Sequence, residues 1–520
     1  MIDICYVGNS SIDYIKTKNG FKKVIGGSAV YSSIASRAIT NKNITIISNI
    51  SAEIERILIS KNINYIGNVL QKTNEFSIDE EKKTCHFLEK VENIIEIREP
   101  LNINNLHISF RKGVDIEKII SNSKIKYKKL TIDVMIHSVK DFIPYINRYI
   151  NKIDTLFCNM EEYLLLKEYV CLIPRIIITN EDKPIILIDG NSSYFFDIVS
   201  SKKIISSTGA GDSFVGGFLG ALCENCAINE CVNYGINISE LSLQNFGPVK
   251  TKIPEITKLK KNKQPKKLPQ NIIVIGNSCS GKSTFINYFK EQFNIYSDID
   301  DLAPLLEMFK IDDISRSGNI NDLINIKKDI KYMNDIYQQY LDNYDNIDHY
   351  SIKTFNGGHD IVKPVLWDII LKKSVKKNKS RNNIIQFSRG CDELYEKEIG
   401  HDVYNRNILE VINILKTTKN LLIINIVSDL DIRKKRNLIR YQNGGHFVSM
   451  ETMNKVYNSD IFNYNQLSNN KGFILLNNIK YPVYTIKNNK MLSPFELKKF
   501  LMYNVNEIIK YFNSLEGDKK

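Results

Sequence analysis

The sequence predicts two α/β domains with mostly parallel sheets, joined near the middle of the chain. Three observations carry this. Short β-rich runs such as "NITIISNI", "KLTIDVMI", "RIIIT" and "PIILI" in the first half, and "NIIVIG", "NNIIQF" and "LLIINIV" in the second, alternate with helical stretches. A length of 520 residues exceeds what one core serves. The stretch at 249–270, "VKTKIPEITKLKKNKQPKKLPQ", holds eight lysines, one glutamate and three prolines, the composition of an exposed linker. The expected division is a domain at 1–250, a linker at 251–270 and a domain at 271–520.

Composition is that of a folded globular protein, with 43% hydrophobic and 25% charged residues. No apolar run approaches the roughly 18 residues of a membrane span, and "MIDICYVGNS" reads as a first strand without a basic region or cleavage site. Cytoplasmic location without a membrane partner is the expectation. Nine cysteines in a long chain argue for reduced thiols, and Cys223, Cys226 and Cys231 of "CENCAINEC" lack a second CxxC, so helix packing is expected over zinc. More than half of the +13 net charge lies in the stretch 249–270, so no nucleic-acid partner is expected from charge.

In "SSTGAGDSFVGGFLGAL" (206–222), Gly209, Ala210 and Gly211 expose three consecutive backbone amides where a helix begins. Asp212 sits in its first turn, and Phe214, Val215, Phe218, Leu219 and Leu222 recur at helical spacing. Amides at a helix start attract anions. A tight turn with an aspartate cap is the plainer alternative.

"STGAGDSFVGGF" resembles the C-terminal signature of the ribokinase-like (PfkB-type) sugar and nucleoside kinases, and other marks follow in order over about residues 1–250. In "YVGNSSIDYI", Asp13 is similar to the family's acceptor-binding aspartate; "GGSAVYSSIASRA" places Gly26 and Gly27 at its paired glycines; "LFCNMEEYLLL" places Asn159 and Glu162 at its Asn-x-x-Glu motif, used around magnesium and phosphate. The resemblance implies transfer of the ATP γ-phosphoryl group to an alcohol of a sugar, polyol or nucleoside, with Mg2+. Asp212 would be the base, and residues 209–211 the anion hole. Two departures stand out. Ser206 replaces an aspartate usual three residues before the GAGD glycine, and Tyr31 stands where many sugar-specific members have asparagine. The spacer between Asp13 and Gly26 is expected to be too short for the usual lid hairpin.

After the linker, "NIIVIGNSCSGKSTFINYF" runs a strand into Gly276-Asn277-Ser278-Cys279-Ser280-Gly281-Lys282-Ser283 and then a helix, the P-loop pattern in its required context, with Thr284 counted among the nucleotide-binding residues. Its amides would wrap a phosphate chain, Lys282 would reach terminal oxygens and Ser283 would ligate magnesium. The rest of the half resembles P-loop nucleoside and nucleotide kinases. "FNIYSDIDDL" ends a strand in Asp298, Asp300 and Asp301, expected to bind acceptor or act as base, or else to be solvated acids at a helix start. "NNIIQFSRG" delivers Arg389 to the sheet's carboxyl edge for an acceptor. "LLIINIVSDLDIRKKRNLIR" puts Arg433, Arg436 and Arg440 on one helix face, suited to a lid over phosphates.

The leading expectation is therefore a bifunctional small-molecule kinase, its halves acting in sequence, with a homodimer left open. A nucleotide-sensing P-loop module, or a P-loop half acting on nucleic-acid ends, are the alternatives.

Overall fold

The computed structural model describes residues 1–18, 20–82, 84–91, 95–111, 114–198, 204–250, 264–301, 352–355, 358–361, 365–390, 403–417, 420–445, 447–468 and 470–517. It divides into two compact units, 1–266 and 267–520. Most of the lysine-rich stretch, 251–263, lies outside the described residues. Its end does not: Lys266–Leu268 forms a strand, so the linker stops short of residue 271.

In the first unit the main sheet is built from β1 (Ile2–Val7), β4 (Ile44–Ile47), β5 (Asn64–Ile66), β8 (Leu101–Phe110), β9 (Ile125–Val134), β10 (Thr155–Asn159), β11 (Arg175–Thr179), β12 (Ile185–Asp189) and β13 (Ser192–Phe196). They lie in the order β13-β12-β11-β10-β9-β8-β1-β4-β5. Pairing is parallel from β5 to β11 and antiparallel over β12 and β13. The strands are nearly continuous apolar runs because helices cover them. Helix α1 (Ser28–Arg37), helix α3 (Ala210–Cys223) and helix α4 (Ile228–Ser242) pack together. Phe214, Val215, Phe218 and Leu219 of α3 join Ile4, Tyr6, Phe157 and Ile177 in one buried cluster, so the apolar stripe expected from sequence is the buried face.

A second, four-stranded sheet is separate from the main sheet, in the order β3-β2-β6-β7: β2 (Ser11–Thr17), β3 (Gly20–Gly26), β6 (Asn74–Asp79) and β7 (Thr84–Glu89). This corrects the expectation that the spacer after Asp13 is too short for a hairpin. Strands β2 and β3 pair antiparallel from Ser11↔Gly26 to Thr17↔Gly20, because a tight turn needs few residues. A parallel partner for β2 arrives from β6, some sixty residues downstream, which no local pattern announces.

The second unit has a seven-stranded sheet in which β14 (Asn271–Ile275), β15 (Ser297–Asp300), β16 (Asn383–Phe387), β17 (Leu421–Val427), β18 (Asn465–Ser468), β19 (Lys471–Leu476) and β20 (Ile479–Lys487) take the order β15-β16-β14-β17-β20-β19-β18. Pairing is parallel from β15 to β20, and antiparallel at β19 and β18. Helix α5 (Lys282–Gln292) follows β14, and helix α7 (Leu430–Gln442) follows β17. None of the described helices is long and apolar enough to cross a membrane.

Candidate active site

The turn 206–209 and helix α3 lie at the carboxyl ends of the parallel strands, where sheets of this kind take ligands. Gly209 caps α3 in the left-handed conformation, φ 76° and ψ 5°. A Cβ there would stand 2.3 Å from the Tyr31 ring, so the turn needs glycine for both its φ and its contact. The cap being Gly209, Asp212 is free of the capping role the plainer reading gave it. Of the three amides expected to form an anion hole, that of Ala210 donates to Ser207 O at 3.2 Å and closes the turn. A Cβ on Gly211 would meet nothing within 4 Å.

Asp212 faces Arg111, whose guanidinium lies 3.4 Å from Asp212 Oδ1 and 2.5 Å from Asp133 Oδ2. His107 Nε2 is 3.1 Å from Asp133 Oδ1. Burial pushes Asp212 up to about 6; Arg111 pulls against that and Asp133 adds to it. Burial also opposes ionisation of Asp133, but Arg111 and His107 outweigh it and hold that carboxyl well below the ordinary range. The two carboxylates thus separate in role. Asp133 is the fixed anion of Arg111, and Asp212 is a carboxylate that exchanges its proton at about pH 6.

Asp13 is buried, accepts a hydrogen bond from Ser11 Oγ at 2.7 Å, and is pushed up by burial to about 6. Its carboxylate lies over Gly26, where a Cβ would come within 1.9 Å of Asp13 Oδ2. Gly27 precedes α1 with φ 94°. Tyr31 is buried, its hydroxyl without a partner among the described residues. Burial raises its pKa, as do the charges of Asp13, Asp212 and Glu80, so the ring sits amid the site's carboxylates.

Asn159 and Glu162, expected near magnesium, form a reciprocal capping box on helix α2 (Met160–Leu166). Glu162 N donates to Asn159 Oδ1 at 2.8 Å and Asn159 N to Glu162 Oε2 at 2.7 Å. Burial raises Glu162 to about 7. These residues are occupied as a cap. No group of three metal-ligating side chains occurs among the described residues. The pair is taken up by the cap and does not fit a direct ligand set.

Sequence reasoning missed Arg111, Asp133 and His107. It also missed Glu80, at the turn after β6, which accepts from Ser206 Oγ, Thr208 Oγ1 and the amides of Ser207 and Thr208.

In the second unit, Gly276 has φ 144°, and Gly281 caps α5 with φ 106°. Lys282 Nζ donates to Gly276 O (2.9 Å), Asn277 O (3.2 Å) and Ser388 Oγ (2.6 Å). Burial pulls Lys282 down to about 8 against Asp300 and Asp301. Asn277 Nδ2 donates to Ser459 O, and Asn488 Nδ2 to Ser280 O. Ser278 and Cys279 approach at 3.8 Å between Oγ and Sγ, and Cys279 holds φ 64°. Ser283 Oγ is 3.4 Å from Gln386 Oε1; Thr284 lies with Gly281 and Asn488 at a cavity of about 130 Å³.

Several expectations for this unit are corrected. Arg389 follows the carboxyl end of β16 but is not open to an acceptor: its side chain is 0% exposed and donates to Asp301 Oδ2 at 2.7 Å, Asn407 Oδ1 at 3.0 Å and Trp367 O at 3.2 Å. Arg433 is buried, bonding Ser428 O. Arg436 bonds Ser280 O of the loop and Asn488 O and Lys490 O beyond β20, so this arginine ties the loop to the segment after β20. Asp298 pairs with Lys290 at 3.3 Å, which favours the solvated-acid reading. Asp300 is half-buried and adds to the field on Lys282.

A parallel α/β sheet, a detached small sheet and a carboxylate at the start of a glycine-led helix define the first unit as ribokinase-like in fold. Residues 26–255 match the pfkB family carbohydrate kinase model, so this unit carries a domain of that family. Among curated proteins, the chain is 33% identical over 107 residues to a ribokinase of Lactococcus lactis, covering 21% of this chain and 34% of that protein. It is 21% identical over 278 residues to a cytidine kinase of Thermococcus kodakarensis, covering 48% and 98%. The solved aminoimidazole riboside kinase of Salmonella enterica, complexed with aminoimidazole riboside and an ATP analogue, aligns with a TM-score of 0.41 at 14% identity, covering 49% and 99%.

Proposed function

We propose that the N-terminal unit transfers the γ-phosphoryl group of ATP, bound with Mg2+, to an alcohol of a sugar, polyol or nucleoside. The observation that carries this is Asp212, poised near neutrality, in the first turn of the helix opened by Gly209 and facing Arg111. The named activities of the Lactococcus and Thermococcus relatives support the same reading. Asp13 would hold an acceptor hydroxyl. The attacking oxygen would form its bond to the γ-phosphorus as the bond to the β-phosphate bridging oxygen breaks, ADP leaves, and the hydroxyl proton passes to Asp212. Arg111 would offset negative charge gathered between Asp212 and the phosphate.

The pH dependence follows. A base with a pKa of about 6 is protonated and idle below that value, and Asp13 titrates in the same range. Turnover should therefore fall as pH drops through about 6, more steeply than one ionisation allows. Steady-state rates from pH 5 to 8 check this; a flat profile would oppose the assignment.

A second reading concerns the C-terminal unit, and the loop around Lys282 favours it. We infer that residues 276–283 form a phosphate-binding P-loop of a second kinase acting on the product of the first. Lys282, half-buried and held by loop carbonyls, would exchange those bonds for phosphate oxygens. Lys282→Ala in the full chain should then let a monophosphate accumulate while the doubly phosphorylated product disappears, as resolved by mass. A nucleotide-sensing module would leave the product mixture unchanged.

A further inference from the structure

The turn that leads into Gly209 is held by a carboxylate from another sheet. Glu80 Oε1 accepts from Ser206 Oγ at 2.7 Å, Ser207 N at 2.8 Å, Thr208 N at 2.8 Å, Thr208 Oγ1 at 2.7 Å and Ser207 Oγ at 3.3 Å. One oxygen thus gathers donors from three consecutive residues, immediately before the left-handed residue that starts α3. Burial works against its ionisation, yet the hydrogen bonds from Thr208, Ser206 and the two amides outweigh it, and its pKa is lowered.

Glu80 stands just past the end of β6, and β6 pairs with β2 in the register Asp13↔Phe76. Lys16 of β2 pairs with Asp79 at 2.8 Å, tying the two strands together beside Glu80. The small sheet therefore carries two site carboxylates on neighbouring strands: Asp13 over Gly26, and Glu80 on the turn 206–208. Ser206 has no charge of its own, and Glu80 brings one to its hydroxyl.

We propose that Glu80 is a positioning residue that fixes the turn 206–208, and with it Gly209 and Asp212, by latching the small sheet to the main domain. This rests on the kinase reading of the site. When the acceptor is held by Asp13, the same sheet sets the geometry of the phosphate-side turn, so acceptor binding and alignment of the base are linked through one rigid element. Transfer depends steeply on such alignment, and displacement of the order of 1 Å can cost about 100-fold in rate.

The test uses the full chain with Glu80→Ala, Glu80→Gln and the double variant Glu80→Ala/Ser206→Asp. Acceptor affinity without ATP is measured by calorimetry, turnover by product mass, and amide exchange over 204–212 by mass spectrometry. Glu80→Ala should lower kcat about 10- to 100-fold with acceptor affinity within twofold, speed exchange at 204–212, and leave the rest of the unit protected. Glu80→Gln, which keeps an acceptor oxygen without charge, should fall between. Ser206→Asp in the Glu80→Ala background should recover rate, because it returns a carboxylate to the same turn. Turnover of Glu80→Ala equal to or above wild type would overturn the proposal, as would a loss confined to acceptor affinity. If the wild-type chain transfers no phosphate, the kinase reading fails, while unchanged exchange at 204–212 in Glu80→Ala separately refutes the latch.

Discussion

Asp212→Asn is expected to reduce phosphoryl transfer by the N-terminal unit by about 100- to 10,000-fold while ATP still binds. The amide keeps the size of the carboxyl and leaves Gly209 and the turn intact, but it cannot take the hydroxyl proton. The same change should not harm the fold. Burial raises the Asp212 pKa from 3.8 to about 6, so its contribution to stability is present below the ordinary carboxylate value and is lost as pH rises through about 6. At pH 7 the ionised, half-buried side chain is a liability, and Asn should leave the unfolding midpoint equal or higher. Loss of activity with retained or increased stability is the signature of a residue kept for chemistry. A variant keeping more than about a tenth of wild-type turnover would contradict the base assignment.

Arg389→Ala is expected to destabilise the C-terminal unit by about 3–5 kcal/mol. The guanidinium is fully enclosed and satisfies Asp301, whose side chain is only 3% exposed, together with Asn407 and two backbone carbonyls. Asp368 adds a second carboxylate at 3.5 Å. Removing the cation leaves Asp301 buried without its partner, although burial already pushes that carboxyl up to about 6. Denaturant unfolding, followed by exchange in the C-terminal unit, reads the effect. Wild-type stability with a selective loss of P-loop activity would instead return Arg389 to the acceptor role.

The contrast between Arg389 and Arg111 shows what the sequence could and could not say. Both follow an apolar strand, in "NNIIQFSRG" and "NNLHISFRKG", and the pattern is the same. One side chain folds inward onto Asp301 and the other forward onto Asp212. The difference lies in carboxylates placed by distant segments. Periodicity and glycine placement made the parallel sheets, α3 and the loop before Lys282 legible, because these are local. The small sheet joins strands some sixty residues apart, so the position of Glu80 was not. The capping box of Asn159 and Glu162 was legible as Asn-x-x-Glu, but the same spacing serves a helix start or an anion site, and the structure uses it as the cap.

The central claim is tested most directly by incubating the full-length chain with ATP, Mg2+ and a panel of sugars, polyols and nucleosides, and resolving products by mass. Wild type should phosphorylate one of these acceptors, Lys282→Ala should still add a first phosphoryl group to the same acceptor, and Asp212→Asn should add none. An acceptor phosphorylated equally by Asp212→Asn, or no phosphorylated member of any of the three classes, would contradict it.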